Sequence, residues 1–162
     1  MRRRRSSGHE QTEVGTVITV ERSFVVGLPR DELVAYLEDF SRTEEWDPGT
    51  VRCVRMDEGP VLPGARWRNT SRFRGRTTHL DYRLVKREAS RLMFIGENKT
   101  VTATDDLGFE AESPSLTRLT YRASLRFKGL ARLATPFLRA EFERLGDEVA
   151  ERLPAAATQR RT

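Results

Sequence analysis

Cysteine, histidine and lysine are scarce in this sequence. Cys53 is the one cysteine, His9 and His79 are the two histidines, and lysine occurs only at Lys86, Lys99 and Lys128. A lone thiol forms no intramolecular disulfide and completes no multi-cysteine metal centre. At Cys53 the pattern instead predicts a small buried residue in a strand. Two imidazoles, one of them near the N-terminus, argue against a catalytic triad, and with them a zinc site is not expected. A glycine-rich phosphate loop is also missing, so a dinucleotide-binding fold is not expected, and neither a cofactor nor a metal is predicted. No apolar run approaches the ~18 residues that a transmembrane helix needs. The opening Met1-Arg2-Arg3-Arg4-Arg5 is followed by polar residues and not by the apolar core of a secretion signal, which predicts a cytoplasmic protein.

Arginine is abundant, and the sequence pI is about 10.0. The excess charge sits at the ends. Of 29 basic residues six are Arg2 to Arg5, Arg160 and Arg161, and of 24 acidic residues two are Glu10 and Glu13, which leaves 23 against 22 between Val14 and Pro154. A nearly neutral body makes nucleic acid an unexpected partner for the domain itself. The composition predicts disordered tails over 1–13 and 155–162 and one domain over 14–154, long enough to bury a core of its own.

Within that domain Ile18, Val20, Phe24 and Val26 recur with period two and predict a first strand. Pro29 then suits a first helical position, Asp31 and Glu32 its first turn, and Leu33, Val34, Leu37 and Phe40 a buried helical face. Ser41 is positioned to cap a second short helix through Trp46, ended by Pro48-Gly49. Six further strands follow at about 50–57, 64–74, 77–87, 91–98, 100–111 and 116–128, joined by gaps short enough for hairpins, so an antiparallel meander is predicted. From Leu130 to Leu153 the residues Leu130, Ala134, Leu138, Phe142, Leu145, Val149 and Leu153 form one stripe of a long helix, widened by Leu133 and Phe137 and stopped by Pro154.

Three stretches resemble the SRPBCC or START-like superfamily, which includes the polyketide cyclase/dehydrase and lipid-transport proteins. They are Val20-Glu21-Arg22-Ser23-Phe24 leading into Leu28 to Leu37, the run Glu45-Trp46-Asp47-Pro48-Gly49, and Leu119-Thr120-Tyr121-Arg122-Ala123 continuing to Phe127-Lys128-Gly129-Leu130. The resemblance implies an α+β helix-grip fold: a curved seven-stranded antiparallel sheet wrapped around a long C-terminal helix, with two short helices after the first strand. It also implies an internal cavity for a small hydrophobic molecule such as a lipid or polyketide. The expected function is to bind such a ligand as carrier, sensor or chaperone. The alternatives are a cyclase/dehydratase-type enzyme and a nucleic-acid or membrane adaptor acting through the basic tails. Oligomeric state is left open.

Alternation turns several polar residues toward the expected interior: Asn69, Ser71, Tyr82, Tyr121, Arg22 and Asp105. A buried polar group needs a partner, so an Asp105 contact with Arg22 or a tyrosine is expected. The predicted ligand-binding set is Trp46, Trp67, Asn69, Ser71, Phe73, Tyr82, Phe94, Tyr121 and Phe137. Were the protein an enzyme, Glu141 and Asp105 would be the proton-transfer candidates. Glu141 lies four residues from Phe137 and from Leu145 on the apolar sector, and a carboxyl in such surroundings has its pKa raised toward neutrality. The spacing turns His79 toward solvent, with Asp81 and Arg83.

Overall fold

The computed structural model describes residues 17–159. The expected tail over 1–13 lies outside the described residues. The strands are β1 Val17–Val26, β2 Thr50–Arg55, β3 Arg66–Phe73, β4 Arg76–Glu88, β5 Arg91–Glu97, β6 Val101–Ser113 and β7 Leu116–Phe127. They form one antiparallel sheet in the order β1-β7-β6-β5-β4-β3-β2. Six consecutive strands run as a meander, and β1 pairs with the last of them, Val17 opposite Arg126 through Val26 opposite Thr117. This is the α+β arrangement the sequence predicts.

The alternation that marks the strands also sets their faces. In β6, Val101, Ala103, Asp105, Leu107 and Phe109 are buried, and the residues between them are half-buried. Register shifts at Thr50/Arg52, Leu84/Lys86 and Ala111/Ser113 interrupt the ladders, and such irregularities bend strands and add twist. Between β3 and β4 a two-residue hairpin holds Arg74 (φ 50) and Gly75 (φ 74), both at the positive φ that a type I′ turn requires. On the convex face Arg68 grips Asp81 with two hydrogen bonds (2.8 and 3.1 Å), and Arg91 grips Asp106 likewise (2.8 and 2.7 Å). His79 is exposed there, as expected.

The chain between β1 and β2 forms α1 Arg30–Leu37, a 3₁₀ turn Phe40–Arg42 and α2 Thr43–Trp46. The cap of this second unit is Asp39, not Ser41. Asp39 has extended backbone and accepts from the Ser41 amide (3.1 Å) and hydroxyl (2.6 Å), whereas Ser41 is already inside the turn. This turn drives Phe40 into the concave face of the sheet, with ring centroids 4.4 Å from Tyr82, 4.5 Å from Phe94 and 6.1 Å from Trp67. Trp67 and Phe94 are fully buried by this plug.

The long helix departs from the predicted boundaries at both ends. A 3₁₀ segment covers Gly129–Ala134, and α3 runs Thr135–Thr158, passing through Pro154. Proline inside a helix costs roughly 3 kcal/mol. Here Ala155-Ala156-Ala157 favours helix, and burial of Leu153 and Ala157 fixes the last turn against the core. Residues 155–158 of the expected C-terminal tail are therefore helical. At the other end Leu130, Leu133 and Phe137 are 86%, 73% and 74% exposed, not part of the buried stripe. A 3₁₀ segment repeats every three residues, which puts Leu130 and Leu133 out of phase with the α-helical stripe that follows. Along α3 the helix meets β1 closely at Gly146, where a Cβ would lie 2.5 Å from Val20 Cγ1.

Candidate functional site: a cavity between the long helix and the sheet

The plug at Phe40 fills one part of the concave face and leaves another open. There a cavity of about 240 Å³ lies between α3 and strands β1, β3, β4, β6 and β7. Its walls are mainly apolar. The sheet contributes Val20, Phe73, Leu80, Val101, Ala103, Ala123, Leu125 and Phe127, and the helix contributes Leu138, Phe142, Leu145, Gly146 and Val149. Phe73 and Phe142 stack almost parallel across it, 4.9 Å apart at 10°.

A small polar group is set into this apolar wall. Asp105, on β6 and 7% exposed, accepts a 2.7 Å hydrogen bond from the Tyr121 hydroxyl. Burial pushes its pKa up to about 7; the Tyr121 hydrogen bond opposes the shift, the charge of Asp47 adds to it, and a Tyr82 hydrogen bond opposes it. Both phenols are pushed well above their ordinary range, by burial first and then by the neighbouring carboxylates, so they remain donors at any ordinary pH. Tyr82 reaches this position because its cross-strand neighbour is Gly96, where a Cβ would lie 2.6 Å from the phenol ring. Asp47, in the turn after α2, also lines the cavity. Its carboxylate accepts from the Thr50 hydroxyl (2.7 Å) and the Gly49 amide (3.0 Å), and burial raises its pKa in spite of those bonds. Two carboxyls and two phenols thus share one pocket, where burial raises the pKa of both carboxyls and the charge of Asp47 adds to the shift at Asp105.

The predicted site residues divide. Ser71, Phe73, Tyr82, Tyr121 and Asp105 line the cavity. Trp46, Trp67, Asn69 and Phe94 are buried but do not line it. Trp67 and Phe94 belong to the plug, Asn69 donates to the Thr50 hydroxyl (2.9 Å), and Trp46 packs edge-on against Tyr121. Phe137 is exposed and lies outside the lining, because its helical position falls beside the stripe and not on it. Glu141 is also outside the lining: its carboxylate pairs with Arg74 at the β3–β4 hairpin. Arg22 does not meet Asp105. It binds Glu143 (2.8 Å) and Asp147 (2.8 Å) on α3, one helical turn apart, which draw the guanidinium to the helix surface. Of the two partners expected for Asp105, the tyrosine is the one in place. Asp47, Phe142 and Gly146 were not among the predicted site residues.

No helix among the described residues is long and apolar enough to cross a membrane. Residues 17–158 match the family model described as polyketide cyclase / dehydrase and lipid transport. No curated protein sequence matches the chain significantly. Several solved structures share its fold. An aromatase/cyclase, Zhui, from Streptomyces sp. R1128 superposes with a TM-score of 0.74 at 16% identity, over 89% of this chain and 95% of its own. A START superfamily protein from Mycobacterium smegmatis gives 0.72 at 12% identity, over 87% and 97%. TTHA0849 from Thermus thermophilus gives 0.74 at 9% identity, over 89% and 99%. At such identities the likeness is one of fold, but the family match spans nearly the whole described chain. The chain therefore belongs to the polyketide cyclase/dehydrase and lipid transport family of the START-like (SRPBCC) superfamily.

Proposed function

We propose that the protein binds one small, largely apolar molecule in this cavity, with a hydroxyl or comparable donor of the ligand directed at Asp105. The observation that carries this reading is the buried Asp105–Tyr121 hydrogen bond, with Tyr82 and Asp47 beside it, in a mainly apolar chamber. Apolar walls supply affinity without direction, and a few polar groups fix orientation. An Asp105 carboxyl accepting from a ligand hydroxyl is complementary, whereas a fatty-acid carboxylate at the same place would face two acids.

Nile red tests the reading. It should bind with a stoichiometry near one, and Ala123→Phe, which fills the chamber from β7, should abolish binding while the protein stays folded. Binding unaffected by that substitution would place the dye elsewhere and defeat the proposal.

A second reading, cyclase/dehydratase chemistry, is favoured by the same pair seen as an acid–base device. A carboxyl with a pKa of about 7 gives and takes a proton near neutrality, and the phenol beside it can steady a developing enolate oxygen. In this reading Asp105 moves the proton and Tyr121 and Tyr82 donate hydrogen bonds. Burial keeps the Asp105 pKa near neutrality, and the charge of Asp47 adds to that effect. Glu141, engaged by Arg74, is the weaker candidate. Asp105→Asn would abolish turnover of an identified poly-β-ketone substrate while leaving its binding within a few fold; full turnover in that variant would leave binding alone.

A further inference from the structure

The stretch from Phe127 to Arg139 is unlike the rest of the surface. It contains Lys128, Arg132 and Arg139 and no acidic residue. It also carries the three most exposed large apolar side chains among the described residues, Leu130, Leu133 and Phe137. In the 3₁₀ segment Leu130 and Leu133 are one turn apart, and Phe137 follows Leu133 by about one α-helical turn, so the spacing aligns all three along one side. The positive charges are held close by. Lys128 Nζ donates to the Asn98 carbonyl (3.2 Å) and Arg132 Nε to the Gly129 carbonyl (3.0 Å). Arg74 reaches the same end of α3, donating to the Phe137 carbonyl (3.2 Å).

We propose that this ridge docks the protein on the surface of an anionic lipid bilayer. Leu130, Leu133 and Phe137 enter the interfacial layer, and Lys128, Arg132 and Arg139 meet lipid phosphates. The stretch itself holds cations and no acid, and Glu141, one turn beyond Phe137, is paired with Arg74; an apolar ridge bordered by cations is the composition of an interfacial element and complements a negative lipid surface. A second copy of the chain is a poorer occupant, because two-fold pairing of the ridge would bring the same cations of both copies together. A bilayer is favoured over an acidic protein partner by the position of the ridge. Phe127 and Leu138, of the same stretch, line the cavity, so an apolar ligand could pass between membrane and chamber without crossing water. That last step rests on the proposed ligand binding; the docking rests on the ridge alone.

The test uses the full chain and vesicles of phosphatidylcholine with or without phosphatidylglycerol. The protein should sediment with the anionic vesicles, less so as salt rises, and should stay in solution with pure phosphatidylcholine. Combining Leu130→Ser, Leu133→Ser and Phe137→Ser should weaken sedimentation by roughly tenfold or more, since three exposed apolar side chains would no longer insert. Arg132→Glu with Arg139→Glu should weaken it comparably. In Phe137→Trp the added indole emission should shift to the blue on anionic vesicles. These positions are exposed, so thermal unfolding should be unchanged, and Nile red binding without vesicles should persist in the triple variant. Equal sedimentation of wild type and triple variant would overturn the proposal and assign the attraction to other basic segments. So would absence of vesicle binding, or self-association abolished by the triple variant in place of vesicle binding.

Discussion

The concave face of this sheet is built twice, once filled and once hollow. Around Phe40 the rings of Trp67, Tyr82 and Phe94 close the space between the sheet and the short helices. Under the first half of α3, Leu138, Phe142 and Leu145 are only half-buried and face a chamber. Both regions belong to one sheet with the same alternation, and they share β3 and β4. What differs is the element laid across them. A tight turn inserts an aromatic side chain between the rings of the sheet, whereas α3 approaches β1 closely at Gly146 and meets β3 through the Phe73–Phe142 stack, with the chamber between. Hollowness here comes from which element covers the sheet, not from a shortage of apolar residues.

The sharpest way to break this comparison is to truncate one side chain in each region. Phe94→Ala, in the filled part, should lose about 3–5 kcal/mol in denaturant unfolding. Leu138→Ala, beside the chamber, should lose under about 1 kcal/mol, since it already faces empty space. Equal losses would mean that the chamber wall packs as tightly as the plug.

The next largest effect is expected from pH. The Asp105 carboxyl is raised from 3.8 to about 7, so the folded state holds a proton that the unfolded state releases. The resulting stabilisation is complete below pH 3.8 and is lost as pH rises to about 7, an upper bound of roughly 4 kcal/mol. Asp105→Asn removes this dependence. The stability of wild type relative to that variant should therefore fall between mildly acidic and neutral pH, and a gap constant across that range would contradict a buried, protonated Asp105.

Smaller effects sharpen the picture. Gly146→Ala should cost about 1–3 kcal/mol by overpacking against Val20, and by lifting α3 it should change Nile red affinity as well. Tyr121→Phe should cost about 1 kcal/mol and raise the Asp105 pKa further, because the hydrogen bond it loses favours the carboxylate. Calorimetry and carboxyl titration by carbon NMR read the two quantities.

Legibility in the sequence followed periodicity. The strands were readable because inside and outside alternate residue by residue, and this alternation singled out Asp105 and Tyr121, which do face the interior. Alternation identifies the concave face but not which part of it is filled, so Trp67 and Phe94 could not be told apart from Phe73. The difference depends on where Phe40 lands. Asp47 was unreadable for another reason: it sits in a turn, where no period assigns an inside. The ends of α3 were misjudged because a helix-period stripe does not distinguish a 3₁₀ start from an α-helix, and because Pro154 is outweighed by the alanines and the burial around it.

One consequence of the strand order concerns how the chain is made. Of the described strands β1 is synthesised first, yet its strand partner is β7, about 90 residues later, and the helix packed across it follows β7. Ile18, Val20 and Val26 are buried only once Leu116–Phe127 and α3 have been synthesised. Such distant pairing slows folding and leaves an unpaired apolar strand exposed during synthesis. A nascent chain cut short before β7 would be a sheet lacking its closing seam, and a natural substrate for chaperones.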